Sequence, residues 1–154
     1  MTPMDQTLLL VEDSDADAEL TVRAFREAHI LNTVVRVADG VEALDYLFRR
    51  GAHAGRPEGD EPAVVFLDLD LPRLSGVEVL GAIRADERTR HLPVVVLTSS
   101  VDDKDRVAVH AHHVNSYVQK PVDDDQFVAA ARQLGLYWLV LNVPAPGRAW
   151  GARR

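Results

Sequence analysis

The chain is expected to fold as an α/β domain, a doubly wound parallel sheet with helices on both faces, and three observations predict it. Strand-sized apolar runs recur at about residues 7–11, 33–37, 63–67, 93–97 and 116–118. Segments with a helical apolar period separate them, which is the βαβα order of a parallel sheet buried on both sides. Four of the runs then end in polar groups, Glu12-Asp13, Asp68, Thr98-Ser99 and Lys120. Open α/β sheets gather their ligands at the carboxyl ends of strands.

Each helix has its own signal. From Asp15 to Ala28, the residues Ala16, Leu20 and Ala24 repeat every four positions and predict the buried face. Asp39-Gly40 punctuates the chain before a helix from Val41 to Arg50, and Ser75-Gly76 does so before one from Gly76 to Arg84 that turns Val79, Leu80 and Ile83 inward. A further helix is expected from Asp102 to about Ala111, and a last one from Asp123 to about Leu141, with Asp123-Asp124-Asp125 as its capping cluster. The segment 51–62 holds three Gly and two Pro and reads as an exposed loop rather than a domain boundary.

In the last helix Phe127, Ala131, Leu134, Trp138 and Leu141 form one stripe, while Leu136, Tyr137, Leu139 and Val140 fall largely outside it. One helix face can pack on the sheet and the remainder must meet water or another chain, so a homodimer through those four residues is the expectation, the alternative being that they pack under the Pro144-Ala145-Pro146 tail. The organisation predicted is a lead at 1–6, one domain at 7–141 and an extension at 142–154.

Composition narrows the function. A length of 154 residues with 47% apolar side chains suits one domain. The lack of cysteine excludes thiol catalysis, thiolate metal sites and disulfides. A net charge of -7 argues against nucleic-acid backbones, which demand clustered Lys and Arg. The start carries neither a basic region nor an apolar core for secretion, and no apolar run is long enough to span a membrane, so the cytoplasm is expected. Arg148, Arg153 and Arg154 read as a solvated terminus. The six histidines lack zinc spacing.

If the four polar strand ends lie side by side, Glu12, Asp13 and Asp68 share one small volume. Like charges that close raise one another's proton affinity unless a cation intervenes. With oxygen ligands alone, Mg²⁺ is the expected ion and Mn²⁺ its substitute. A carboxylate oxygen of Asp68 could then attack phosphorus, with Lys120 neutralising the phosphoryl charge and the Thr98 hydroxyl and Ser99 backbone N–H donating hydrogen bonds.

Leu10-Val11-Glu12-Asp13, Asp39-Gly40-Val41-Glu42-Ala43, Leu67-Asp68-Leu69-Asp70-Leu71-Pro72 with Gly76, Leu97-Thr98-Ser99 and Ser116-Tyr117-Val118-Gln119-Lys120-Pro121 occur in the order found in response regulator receiver domains. Over residues 7–141 the chain resembles that family, and its 51–62 loop and ending resemble the stand-alone regulators of bacterial and cyanobacterial phytochrome kinases. The resemblance implies a flavodoxin-like (βα)₅ fold with strand order 2-1-3-4-5. It implies that Asp68 is phosphorylated by a histidine kinase, that Glu12, Asp13, Asp68 and the backbone carbonyl of Asp70 hold the metal, and that Thr98 and Lys120 contact the phosphoryl group. It also implies a switch in which Thr98 moves inward and Tyr117 rotates, altering a protein-binding surface read by a downstream protein or phosphotransfer partner. Departures are Asp70 where Asn is common, Ser75 for Asp, His113-Val114 for Gly-Ala, and Val122 for Phe.

Two other readings use the same residues. A haloacid-dehalogenase-like phosphohydrolase would take Asp68 as nucleophile, Asp70 as acid/base and Asp123-Asp124 as metal ligands. It expects the second acidic pair after its own strand, whereas here that pair directly follows Lys120-Pro121-Val122. An adaptor that works without phosphorylation would have no need for the repulsion of clustered acids.

Overall fold

The computed structural model describes residues 7–57, 60–99, 114 and 116–133, for 131–133 the backbone alone. The strands are β1 (Leu8–Val11), β2 (Val34–Val37), β3 (Val64–Asp68), β4 (Val94–Thr98) and β5 (Ser116–Gln119). The helices are α1 (Asp15–Glu27), α2 (Gly40–Phe48), α3 (Gly76–Ala85) and α4 (Asp124–Gln133). All strand pairs are parallel and the sheet order is β2-β1-β3-β4-β5, as expected. Every residue of the central strands β1, β3 and β4 is buried, whereas β2 and β5 keep exposed positions because they are the edges.

The two-residue period of the strands divides the core into two layers. Leu8, Leu10, Val64, Phe66, Val95, Leu97 and Val118 face α1 and α4, where Phe25, Phe66 and Phe127 pack ring against ring at 4.4 to 5.5 Å. Leu9, Val11, Val65, Leu67, Val94 and Val96 face α2 and α3 and meet Tyr46, Leu47, Val79, Leu80 and Ile83. Val79, Leu80 and Ile83 thus turn inward as their spacing predicts.

Helix starts follow the predicted punctuation. Asp39 caps α2 by accepting from Glu42 N at 2.8 Å, and Ser75 forms a capping box with Glu78. The aspartate cluster opens α4 in the same way, with Asp123 Oδ1 accepting from Gln126 N at 3.0 Å. Gly40 and Gly76 are required by close approach. A Cβ on Gly40 would stand 2.8 Å from Leu74 Cβ, and one on Gly76 would stand 2.6 Å from Leu69 Cα and collide with the Asp68 carbonyl.

Three expectations change. The buried face of α1 is Ala18, Thr21, Ala24 and Phe25. Of the predicted repeat only Ala24 is inside, while Ala16 is exposed and Leu20 is 46% exposed, because the bulky Phe25 sets the helix rotation. Strands β3, β4 and β5 each run one residue further than expected, taking in Asp68, Thr98 and Gln119, whose backbones keep the ladder. The 51–62 segment opens with a short 3₁₀ turn at Gly51–His53 and is tied back to the domain rather than standing free. Arg49 pairs with Glu61 at 2.8 Å, and Arg56, its side chain 8% exposed, lies over the Tyr46 ring and donates to Tyr46 O. The expected helix at 102–111 and the four residues of the predicted dimer contact lie outside the described residues.

Candidate functional site

Alternation along the strands brings the candidate side chains together. Glu12 continues the Leu8-Leu10 face, Asp68 the Val64-Phe66 face and Lys120 the face of Val118, so all three emerge at the carboxyl end of the sheet on the α1 and α4 side. The ladder extends past the strand ends to fix them: Leu69 N donates to Leu97 O at 3.3 Å and Lys120 N to Thr98 O at 2.9 Å. On the acidic side, Arg36 of β2 donates from Nε to Glu12 O at 3.0 Å and pairs with Asp15 at 2.6 Å, which holds the β1–α1 turn in place.

The result is a cleft of about 490 Å³ lined by Glu12, Asp13, Asp17, Asp68, Asp70, Ser99, Lys120 and Pro121. Carboxylate oxygens of Glu12, Asp13 and Asp68 lie within 4.8 Å of one another. Glu12 is fully buried and Asp68 is 3% exposed, while Asp13 and Asp70 reach solvent. Lys120 Nζ stands 2.6 Å from Glu12 Oε1, 3.1 Å from Asp17 Oδ2 and 3.5 Å from Asp68 Oδ1. Asp68 Oδ1 also accepts from Asp70 N at 3.3 Å.

These distances set the electrostatics. Burial, and then the neighbouring Glu12 carboxylate, push the Asp68 carboxyl up from 3.8 to about 7, against the pull of the Lys120 ammonium. Burial works against the charge on Lys120, yet its hydrogen bond to Glu12 and the field of Asp68 hold it well above the ordinary lysine range. Five carboxylates around one ammonium leave a strongly anionic cleft, and this together with burial raises the proton affinity of Asp68. A hard dication would relieve the repulsion. The donor set fits one, since the three converging groups are all oxygen acids.

Glu12, Asp13, Asp68, Asp70, Ser99 and Lys120 therefore lie in one cleft, as their sequence positions suggested. Thr98 is 1% exposed and ends β4 on the opposite face from Asp68, the face that carries Val94 and Val96. Tyr117 stands across from Val96 and packs in that same layer, so Thr98 and Tyr117 share one side of adjacent strands. Two participants went unnoticed in the sequence. Asp17 lies one helical turn beyond Asp13 and could have been found by that spacing; Arg36 is a charge inside a strand pattern, which was the available sign. Asp123 caps α4, and neither it nor Asp124 lines the cleft, which leaves a phosphohydrolase without its second acidic pair.

Comparison with known proteins agrees with this geometry. The family model described as "Response regulator receiver domain" matches residues 8–132. A protein named as a probable methanogenesis regulatory protein, FilR2, of Methanothrix harundinacea is 42% identical over 92% of this chain and 88% of its own. The solved bacteriophytochrome response regulator RtBRR is 49% identical, with a TM-score of 0.81 over 94% of this chain and 86% of its own. Response regulator Rcp1 of Synechocystis is 32% identical over 91% of this chain and 94% of its own. Its Mn²⁺-bound structure superposes with a TM-score of 0.72 over 92% of this chain and 99% of that one.

Proposed function

This chain belongs to the response regulator receiver family, and on that premise we propose that it is a phosphoacceptor: Asp68 takes a phosphoryl group from a histidine kinase, and the protein passes the change to a binding surface. The observation that carries this is the convergence of Glu12, Asp13, Asp68 and Lys120 in one cleft. An Asp68 carboxylate oxygen attacks phosphorus, the phosphorus–nitrogen bond to the kinase histidine breaks, and its electron pair returns to the imidazole. The product is an acyl phosphate. Loss to water forms a bond from water oxygen to phosphorus while the phosphorus–oxygen bond to Asp68 breaks, its electron pair staying on the carboxylate, and inorganic phosphate leaves.

Glu12, Asp13 and Asp68, joined by Asp70, are the residues that would hold Mg²⁺, or Mn²⁺ in its place, and the ion would supply charge neutralisation at the phosphoryl oxygens. Lys120 neutralises charge from the opposite side, close enough to Asp68 at 3.5 Å that a small displacement brings it onto a phosphoryl oxygen. Ser99 lines the cleft and offers its backbone N–H. Thr98 reaches the phosphoryl group around the end of β4, and in doing so leaves the layer it shares with Tyr117, which then rotates.

A phytochrome-type kinase is the proposed donor, supported by the similarity to RtBRR and Rcp1. Among the described residues no helix is long and apolar enough to cross a membrane, and we assign the protein to the cytoplasm with the kinase. The homodimer through Leu136, Tyr137, Leu139 and Val140 is retained as part of the proposal; a monomeric mass at high micromolar concentration would remove it. The phosphoacceptor reading is tested by brief reaction with a small acyl phosphate and Mg²⁺ followed by intact mass. An addition of about 80 Da is expected; no adduct, or an undiminished adduct in D68A, refutes it.

A further inference from the structure

The Lys120 ammonium has a third acidic neighbour that the phosphoacceptor chemistry does not call on. Asp17 sits in the first turn of α1, where the Ser14 hydroxyl accepts from its backbone N–H at 3.2 Å and fixes the turn. Its Oδ2 takes the ammonium at 3.1 Å, and Glu12 takes it at 2.6 Å. The distance to Asp68 is 3.5 Å, beyond the roughly 2.7–2.9 Å of a charge-assisted N–H···O⁻ bond. The ammonium is thus drawn toward α1 and away from the reacting carboxylate. Asp17 also stands outside the trio of converging carboxylates formed by Glu12, Asp13 and Asp68, so its charge stays available to the lysine when those three are engaged.

We propose that Asp17 is a positioning residue that competes with the phosphoryl group on Asp68 for the Lys120 ammonium. The inference rests on the phosphoacceptor reading above. In the resting protein Asp17 seats the ammonium on the helix side of the cleft; closing on a phosphoryl oxygen lengthens that contact. The competition lowers the affinity of the site for a phosphoryl group. Its size follows from exposure. The Asp17 side chain is 43% exposed, and ion pairs of that kind are worth about 0.2–1 kcal/mol, or a factor of about 1.5 to 5 in binding.

The test uses the full chain with saturating Mg²⁺, titrated calorimetrically with beryllofluoride as the phosphoryl mimic. D17N is expected to bind it about 1.5 to 5 times more tightly than the wild type, and D17E, which keeps the acid, to bind close to the wild-type value. In a K120Q background the same D17N substitution should change nothing, since the effect runs through the ammonium. Equal or weaker binding by D17N, a D17E that matches D17N, or a gain that persists in K120Q each overturns the inference. The last would make Asp17 a source of through-space repulsion only. A wild-type chain that binds no beryllofluoride overturns the phosphoacceptor reading and this inference with it, whereas wild-type binding without a D17N gain overturns Asp17 alone.

Discussion

Replacing Asp68 by Asn should make the metal-free protein more stable, although it removes the proposed phosphoacceptor. Asp68 is 3% exposed, and its carboxyl ionises at about 7 in the fold against 3.8 ordinarily. That gap corresponds to about 4 kcal/mol of unfavourable ionisation. The titration is shared with Glu12 and Lys120, so about 2–4 kcal/mol is expected from Asn at pH 8 with chelator present. For a chain of this size that is a rise in melting temperature of about 5–15 °C. The sign follows from proton binding. Between 3.8 and about 7 the folded state keeps a proton that the unfolded chain has lost, so stability falls as pH rises through that window. Below it the contribution is fully present, and above it the loss is complete and level. Lys120, held above its ordinary 10.5, contributes a constant amount throughout. Urea titrations of both proteins from pH 4 to 8.5 in chelator give the contribution of Asp68 together with its coupling to Glu12 and Lys120 as a difference, because groups remote from the cleft cancel. A difference that does not grow with pH, or a D68N protein no more stable than the wild type at pH 8, would refute the reasoning.

Two further outcomes follow from the same geometry. Mg²⁺ must displace the proton that Asp68 retains, so its affinity should rise about tenfold per pH unit up to about pH 7 and level off above; calorimetry at pH 6 and 8 checks this, and D68N should flatten the dependence. Gly76→Ala would drive a Cβ to 2.6 Å from Leu69 Cα and into the Asp68 carbonyl, and the overpacking should cost about 1–3 kcal/mol, read as a lower urea midpoint.

How much of this was legible in the sequence depends on the range of the contact responsible. Strand alternation is local, so the convergence of Glu12, Asp68 and Lys120 could be read from three short runs once a parallel sheet was assumed. Helix rotation was less legible: α1 has small or apolar residues on two faces, and the choice between them is made by Phe25 meeting Phe66 and Phe127, far away in the chain. The anchoring of the 51–62 segment was hidden for the same reason, since the polar composition that marks a loop says nothing of an Arg56 side chain laid on Tyr46. Asp17 stands at a visible spacing from Asp13, yet its meaning comes from a lysine 103 positions later.

The cost of the cleft and its use are connected. A core carrying two buried acids around one ammonium is less stable than the same volume filled with apolar side chains, and the penalty gathers on Asp68, the proposed phosphoacceptor. Positive charge entering the cleft lowers that energy, and a phosphoryl group on Asp68 changes it again by about two negative charges and new acceptors. The two-residue period then determines where the change is felt. Asp68 points toward α1 and α4 while Thr98 and Tyr117 point the other way, so a Thr98 drawn around the strand end empties space on the far face. Moving such a surface from about 1% to 99% in its altered state needs about 5.5 kcal/mol. That amount has to come from contacts that differ between the two arrangements, and a phosphoryl charge meeting Lys120 is where such a difference would arise.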